Sequence, residues 1–216
     1  MKVLQFIFSI CAFATTTSFS TYFTFNEECL DQQKNITIRE NISYPFRIDS
    51  MRTSFLVCDD NHETLLISGD FSSDAQFFVA VGVLALLYAI GAIILYCLFS
   101  HIYDSTELVP VVDCGLHIIF TVLWLAASSA WANSVVNLRW ATNVETIISE
   151  NEEVCKAYHC TPEKEANYAK LAISLILGFL NVFLWASNLW FLYKETHYFK
   201  DKANAKAAAT NAMGTA

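Results

Sequence analysis

Residues 170–194 read KLAISLILGFLNVFLWASNLWFLYK, a run with a lysine at each end and no charge between them. About 20 apolar residues in a helix cross a bilayer core about 30 Å thick, so this stretch predicts a transmembrane helix over residues 169–193. Within it Gly178, Asn181, Trp185 and Asn188 recur at i, i+3, i+7 and i+10, along one face. Amide side chains are costly in hydrocarbon and small residues let helices approach closely, so this face is expected to look inward as a helix-packing stripe.

Working outward, three more windows lack charge: Lys2 to Glu27, Asp74 to Asp104, and Asp113 to Arg139. They predict helices over residues 3–23, 77–99 and 111–132. A helix satisfies its own backbone hydrogen bonds in lipid, where an open strand does not, so the expected fold is an all-α membrane protein with four transmembrane helices. The first window also reads as a signal peptide, with Lys2, an apolar run and Ala12-Phe13-Ala14 as a cleavage site. Both readings leave residues 26–74 on the non-cytosolic side. Composition agrees with a lipid-facing chain: of 216 residues, 55% are hydrophobic and 16% charged. A net charge of −8 with only 13 scattered Lys and Arg argues against a nucleic-acid partner.

Between the spans lie a first loop (24–74), a short link (100–110) and a second loop (133–168). The first loop holds the sequons Asn35-Ile36-Thr37 and Asn41-Ile42-Ser43, which make Asn35 and Asn41 candidate glycosylation sites. Of the 7 cysteines, Cys11, Cys97 and Cys114 fall in or beside hydrophobic spans. Cys29 and Cys58 lie in the first loop and Cys155 and Cys160 in the second, an even number per loop that suits disulfides in an oxidising compartment. Four cysteines permit three connectivities. His159 beside Cys160 invites a zinc reading, but too few thiols and imidazoles lie near it in sequence, and no metal is expected. Lysine density at Lys2, Lys194, Lys200, Lys202 and Lys206 puts both termini in the cytosol. The Ala-rich tail, 197–216, is expected to be disordered.

Asp113, one turn before His117, reads as a helix-start carboxylate at the water interface, with a proton-relay pair as the sharper alternative. Ser128, Ser129 and Trp131 read as an interfacial belt, Ala85, Ala89 and Ala92 as a packing face, and Ser72, Ser73 and Asp74 as N-caps. No phosphate-binding glycine loop, nucleophile elbow or metal-spaced His and carboxylate set occurs, so the chain is read as a non-enzyme without a cofactor.

Several motifs together resemble the synaptophysin family. They are Lys2-Val3-Leu4-Gln5, Cys11-Ala12-Phe13-Ala14-Thr15, Tyr44-Pro45-Phe46-Arg47, Gly69-Asp70-Phe71-Ser72-Ser73, Trp124-Leu125 and Ser128-Ser129-Ala130-Trp131-Ala132. The fourth span adds Gly178-Phe179-Leu180-Asn181, Leu184-Trp185, Asn188-Leu189-Trp190-Phe191 and Lys194-Glu195-Thr196. The resemblance covers residues 2–196 and implies a MARVEL-type four-helix bundle over 1–196. It implies cytosolic termini, a retained first helix, and one disulfide per lumenal loop, Cys29 with Cys58 and Cys155 with Cys160. It further implies residence in synaptic or other small transport vesicles, self-association into a homo-oligomer, and binding to synaptobrevin, cholesterol and the vesicle proton pump. Two departures are a short N-terminal segment and a tail without tyrosine after Tyr198, so tail-dependent functions are not expected.

The expected function is therefore organisation of vesicle membrane in exocytosis and recycling, by packing and not by chemistry. The alternative from another class is an oligomeric channel lined by Asn181, Asn188 or His117. A junctional protein of the claudin or tetraspanin type fits less well, because the larger loop comes first and the second lacks a Cys-Cys-Gly element.

Overall fold

The computed structural model describes residues 1–29, 34–48, 52–56, 62–67, 69–98, 108–157 and 159–195. Cys58, most of the link between the second and third spans, and the tail lie outside them. Four long helices appear: α1 (Lys2–Thr17), α2 (Ser72–Leu98), α3 (Leu108–Ala141) and, after two short helices α4 (Val144–Glu150) and α5 (Glu152–Ala157), α6 (Ala169–Glu195). Residues Ser72–Leu98, Val111–Ala141 and Ala169–Phe191 are long and apolar enough to cross a membrane, while α1 is apolar but only 16 residues long.

The described residues are mostly helical, and the all-α expectation is corrected by five strands among them. β1 (Ser20–Cys29), β2 (Lys34–Ser43) and β5 (Cys160–Lys164) form an antiparallel sheet in the order β2-β1-β5, and β3 (Arg52–Leu56) pairs with β4 (His62–Leu66). The same finding corrects the first span, which ends at Thr17 and not at residue 23. The hydroxyls of Thr15, Thr16, Thr17 and Ser18 donate back to main-chain carbonyls of the last turns. The chain then enters Ser-Thr-Tyr-Phe-Thr-Phe, whose β-branched and aromatic alternation suits a strand. Absence of charge alone does not separate these two conformations.

The third helix is longer at both ends than 111–132. Pro110 falls in its first turn, where a missing N–H leaves no bond unmade. Beyond residue 132 the polar Asn133, Ser134 and Asn137 continue the helix. Asp113 therefore lies inside α3 and not at its start. Among its buried residues, Asp113, His117, Phe120, Trp124, Ala127, Trp131, Ser134 and Leu138 step by three or four along one face, with Ser128 and Val135 beside them.

The chain divides into two compact units. One comprises Met1–Cys11, Val81–Ala126 and Leu177–Ala216. Trp185 sits at its centre, with ring centroids 4.9 Å from His117, 4.7 Å from Phe120 and 5.6 Å from Tyr88. The Asn181 amide donates to the carbonyls of Phe8 (3.1 Å) and Leu177 (2.9 Å), tying α6 to α1.

The other unit comprises Ala12–Ala80 and Ala127–Ile176. Its core is aromatic: Phe46 and Phe78 pack on Trp131, whose indole N–H donates to Ser174 Oγ at 3.1 Å. Trp131 is fully buried, so it is a core residue and not an interfacial anchor. Asp74 accepts from Ser134, and Lys170 donates to the Ser18 carbonyl at 2.7 Å. Gly69 has φ +151°, and a Cβ there would stand 2.7 Å from the Phe71 ring, so this close approach requires glycine.

Candidate functional site: a buried polar cluster

Five of the polar side chains in the first unit converge on Asp113 and His117. Lys2 Nζ lies 3.0 Å from Asp113 Oδ1, 3.1 Å from Tyr88 Oη and 3.1 Å from His117 Nε2. The hydroxyls of Tyr88 and Tyr96 both donate to the Asp113 carboxylate. His117 Nδ1 is 2.8 Å from the Asp113 carbonyl and 3.3 Å from Asp113 Oδ1, so it carries the ring proton. Nε2 then accepts, facing the Asn188 amide at 3.0 Å and the Gln5 amide at 3.4 Å as well as Lys2.

Each element delivers its members by helical spacing. Lys2 and Gln5 share a face of α1, Tyr88 and Tyr96 stand two turns apart on α2, Asp113 and His117 one turn apart on α3, and Asn188 closes the cluster from α6. His117 is fully buried, and Lys2 and Asp113 are about nine-tenths buried at their side chains, with relative exposures of 11% and 9%. Ionisable groups inside a membrane are costly unless paired, and here one ammonium meets one carboxylate with its hydrogen bonds filled. A cavity of about 340 Å³ beside the cluster is lined by Tyr88, Gly91, Leu95, Tyr96, Val112 and Asp113 among others. Its walls are mainly apolar. The arrangement can hold helices together and carry a compensated charge pair.

Among the described residues no group of three or more His, Cys, Asp or Glu side chains could hold a metal ion. The stripe residues Gly178, Asn181, Trp185 and Asn188 are all buried on α6. Asn188 joins the cluster, and Asn181 bonds to main chain instead. Cys155 and Cys160 form a disulfide with Cα atoms 4.9 Å apart. Cys29 ends β1, while Cys58 lies outside the described residues. Asn35 and Asn41 both lie on the exposed face of β2, which alternates with buried Ile38 and Ile42.

Sequence reasoning assigned Lys2 to the cytosolic surface and did not place Gln5, Tyr88 or Tyr96 in any site. The available signal was polarity in the wrong surroundings: a glutamine and two tyrosines within otherwise apolar helices. Outside the helical spans, burial pushes the Tyr168 phenol up to about 12, and its hydroxyl bonds to Thr142. In comparison with protein families, residues 1–191 match MARVEL, a membrane-associating domain.

Proposed function

Because the chain belongs to the MARVEL family, we propose that this membrane-associated, multi-pass protein organises the membrane of synaptic or other small transport vesicles in exocytosis and recycling. The single observation that carries the reading is the self-contained cluster around Asp113. Its charges and hydrogen bonds are directed at one another, while the large apolar side chains Leu84, Leu87, Ile119, Val122, Ile176 and Phe183 remain exposed on α2, α3 and α6. Such a protein works by packing against lipid and other helices, and it is not an enzyme.

On this reading α1 provides a fourth crossing. Its 16 residues span about 24 Å, within reach of a locally thinned bilayer. Both termini then face the cytosol, and β2 with Asn35 and Asn41, together with the Cys155–Cys160 disulfide between α5 and β5, faces the lumen. The protein binds itself and the single-span synaptobrevin, and it associates with cholesterol and the vesicle proton pump. Capture from native vesicles, with and without a reducing agent, tests this. Recovery of both synaptobrevin and a second copy is expected, and recovery of neither removes the reading.

The burial of His117 and Asn188 at one site favours a second reading, an oligomeric channel. Ion flux through purified protein in liposomes, abolished by Asn181→Leu, is the result that would favour it. Silent bilayers would leave the organising role.

A further inference from the structure

β1 carries one carboxylate on the face that it buries. Strand alternation puts Phe23, Phe25 and Glu27 on one side. Glu27 is fully buried, and neither of its carboxylate oxygens has a hydrogen-bond partner among the described residues. Its cross-strand neighbours are Ile36 on β2 and Cys160 on β5, and the next pair along β1 is Phe25 with Ile38. α4 packs against β1 and β5, with Val144 and Ile147 buried.

Most of the charged and titratable side chains described on these elements are engaged elsewhere or exposed. On β2, Arg39 lies over the Tyr22 ring on the opposite face, 3.7 Å from its centroid. Glu40 stands opposite Phe23, and Lys34, opposite Cys29, shares the register face of Glu27, with its side chain outside those described. On β5, Lys164 donates to the Tyr22 hydroxyl at 2.6 Å, and Glu163 is exposed. Glu28 on β1, Glu145 and Glu150 on α4 and His159 before β5 are exposed too. Among the described residues, Glu27 thus has no paired cation. A carboxylate removed from water without a cation or donor is strongly disfavoured in its charged form, whereas the neutral acid is not.

We propose that Glu27 is a proton-binding site: the folded β2-β1-β5 sheet holds its side chain as the neutral acid, and uptake of that proton couples the sheet's integrity to acidity. Desolvation raises the Glu27 carboxyl above its ordinary value, the direction this coupling requires. With the folded value above the unfolded one, the stabilisation is complete below about 4.5, the ordinary value, and is lost as pH rises through the raised one. On the lumenal orientation proposed above, acidification of that compartment tightens the sheet. The chemistry itself does not depend on orientation.

Hydrogen exchange of β1 and β2 amides tests the proposal in full-length protein held in nanodiscs, with rates corrected for the intrinsic effect of pH. Protection in the unmodified protein should rise on acidification, approaching tenfold per pH unit, the slope of one linked proton. Glu27→Gln should be flat across the same range and at least as protected near neutrality. A flat profile in the unmodified protein, or an unchanged slope in E27Q, would overturn the proposal. Should E27Q not fold, the infrared carbonyl band of a protonated carboxyl that persists above about pH 4.5, the ordinary value, decides, with Glu27→Met as the second variant. The band must be present in the unmodified protein and missing from E27M, and its absence from the former refutes the idea.

Discussion

Lys2 has three N–H groups and finds three acceptors, in Asp113, Tyr88 and His117. Removing one partner of such a buried pair leaves the other charge uncompensated. Asp113→Asn should therefore destabilise the protein by roughly 3 to 5 kcal/mol, measured by denaturant titration in micelles. Lys2→Met combined with Asp113→Leu should cost much less than the sum of the singles. Strict additivity would show that the two do not act as a pair. A second residue-scale expectation concerns Tyr168, whose phenol is held up at about 12 by burial. The folded state keeps this proton where the unfolded chain releases it. Its contribution is whole below about pH 10, the ordinary phenol value, and is lost as pH rises toward about 12. Tyr168→Phe should remove that part of the alkaline unfolding transition followed by near-ultraviolet circular dichroism.

At the scale of elements, Asn181 joins α6 to the Phe8 carbonyl of α1. Asn181→Leu should cost on the order of 1 kcal/mol, typical of one interhelical hydrogen bond in a membrane protein, in the same titration. The three longer helices were legible because length without charge is a strong signal, and Gly178, Asn181, Trp185 and Asn188, at i, i+3, i+7 and i+10, are buried on α6. The sheet was not. Ser20–Cys29 continues the apolar run of α1, and its strand character rests on an alternation of Thr with Tyr and Phe that a charge count ignores. Nor was the cluster legible, since its members come from four helices whose mutual rotation no local pattern fixes. Asp113 and His117 were noticed as neighbours on one helix. Lys2, 111 residues earlier, had nothing in its own segment to point to them. The disulfide between Cys155 and Cys160 closes a short loop between α5 and β5. Cys155→Ser should cost about 2 kcal/mol, seen as faster proteolysis near residue 155.

For the molecule as a whole, the orientation proposed above predicts that enzymatic deglycosylation shifts the mobility of protein from cells. Asn35→Gln with Asn41→Gln should abolish that shift. A double variant that still shifts would place the glycan elsewhere, and protein that never shifts would count against a lumenal β2. The pairing of Lys2 with Asp113 also has a consequence for how the chain is made. At a synthesis rate of about 5 to 20 residues per second, Asp113 leaves the ribosome roughly 6 to 22 s after Lys2. During that interval the ammonium lacks its Asp113 partner and is favoured among lipid headgroups or water. If α1 crosses the membrane as proposed above, the nascent N-terminal helix is expected to reach its final depth only when the third helix arrives, a late, assembly-dependent insertion.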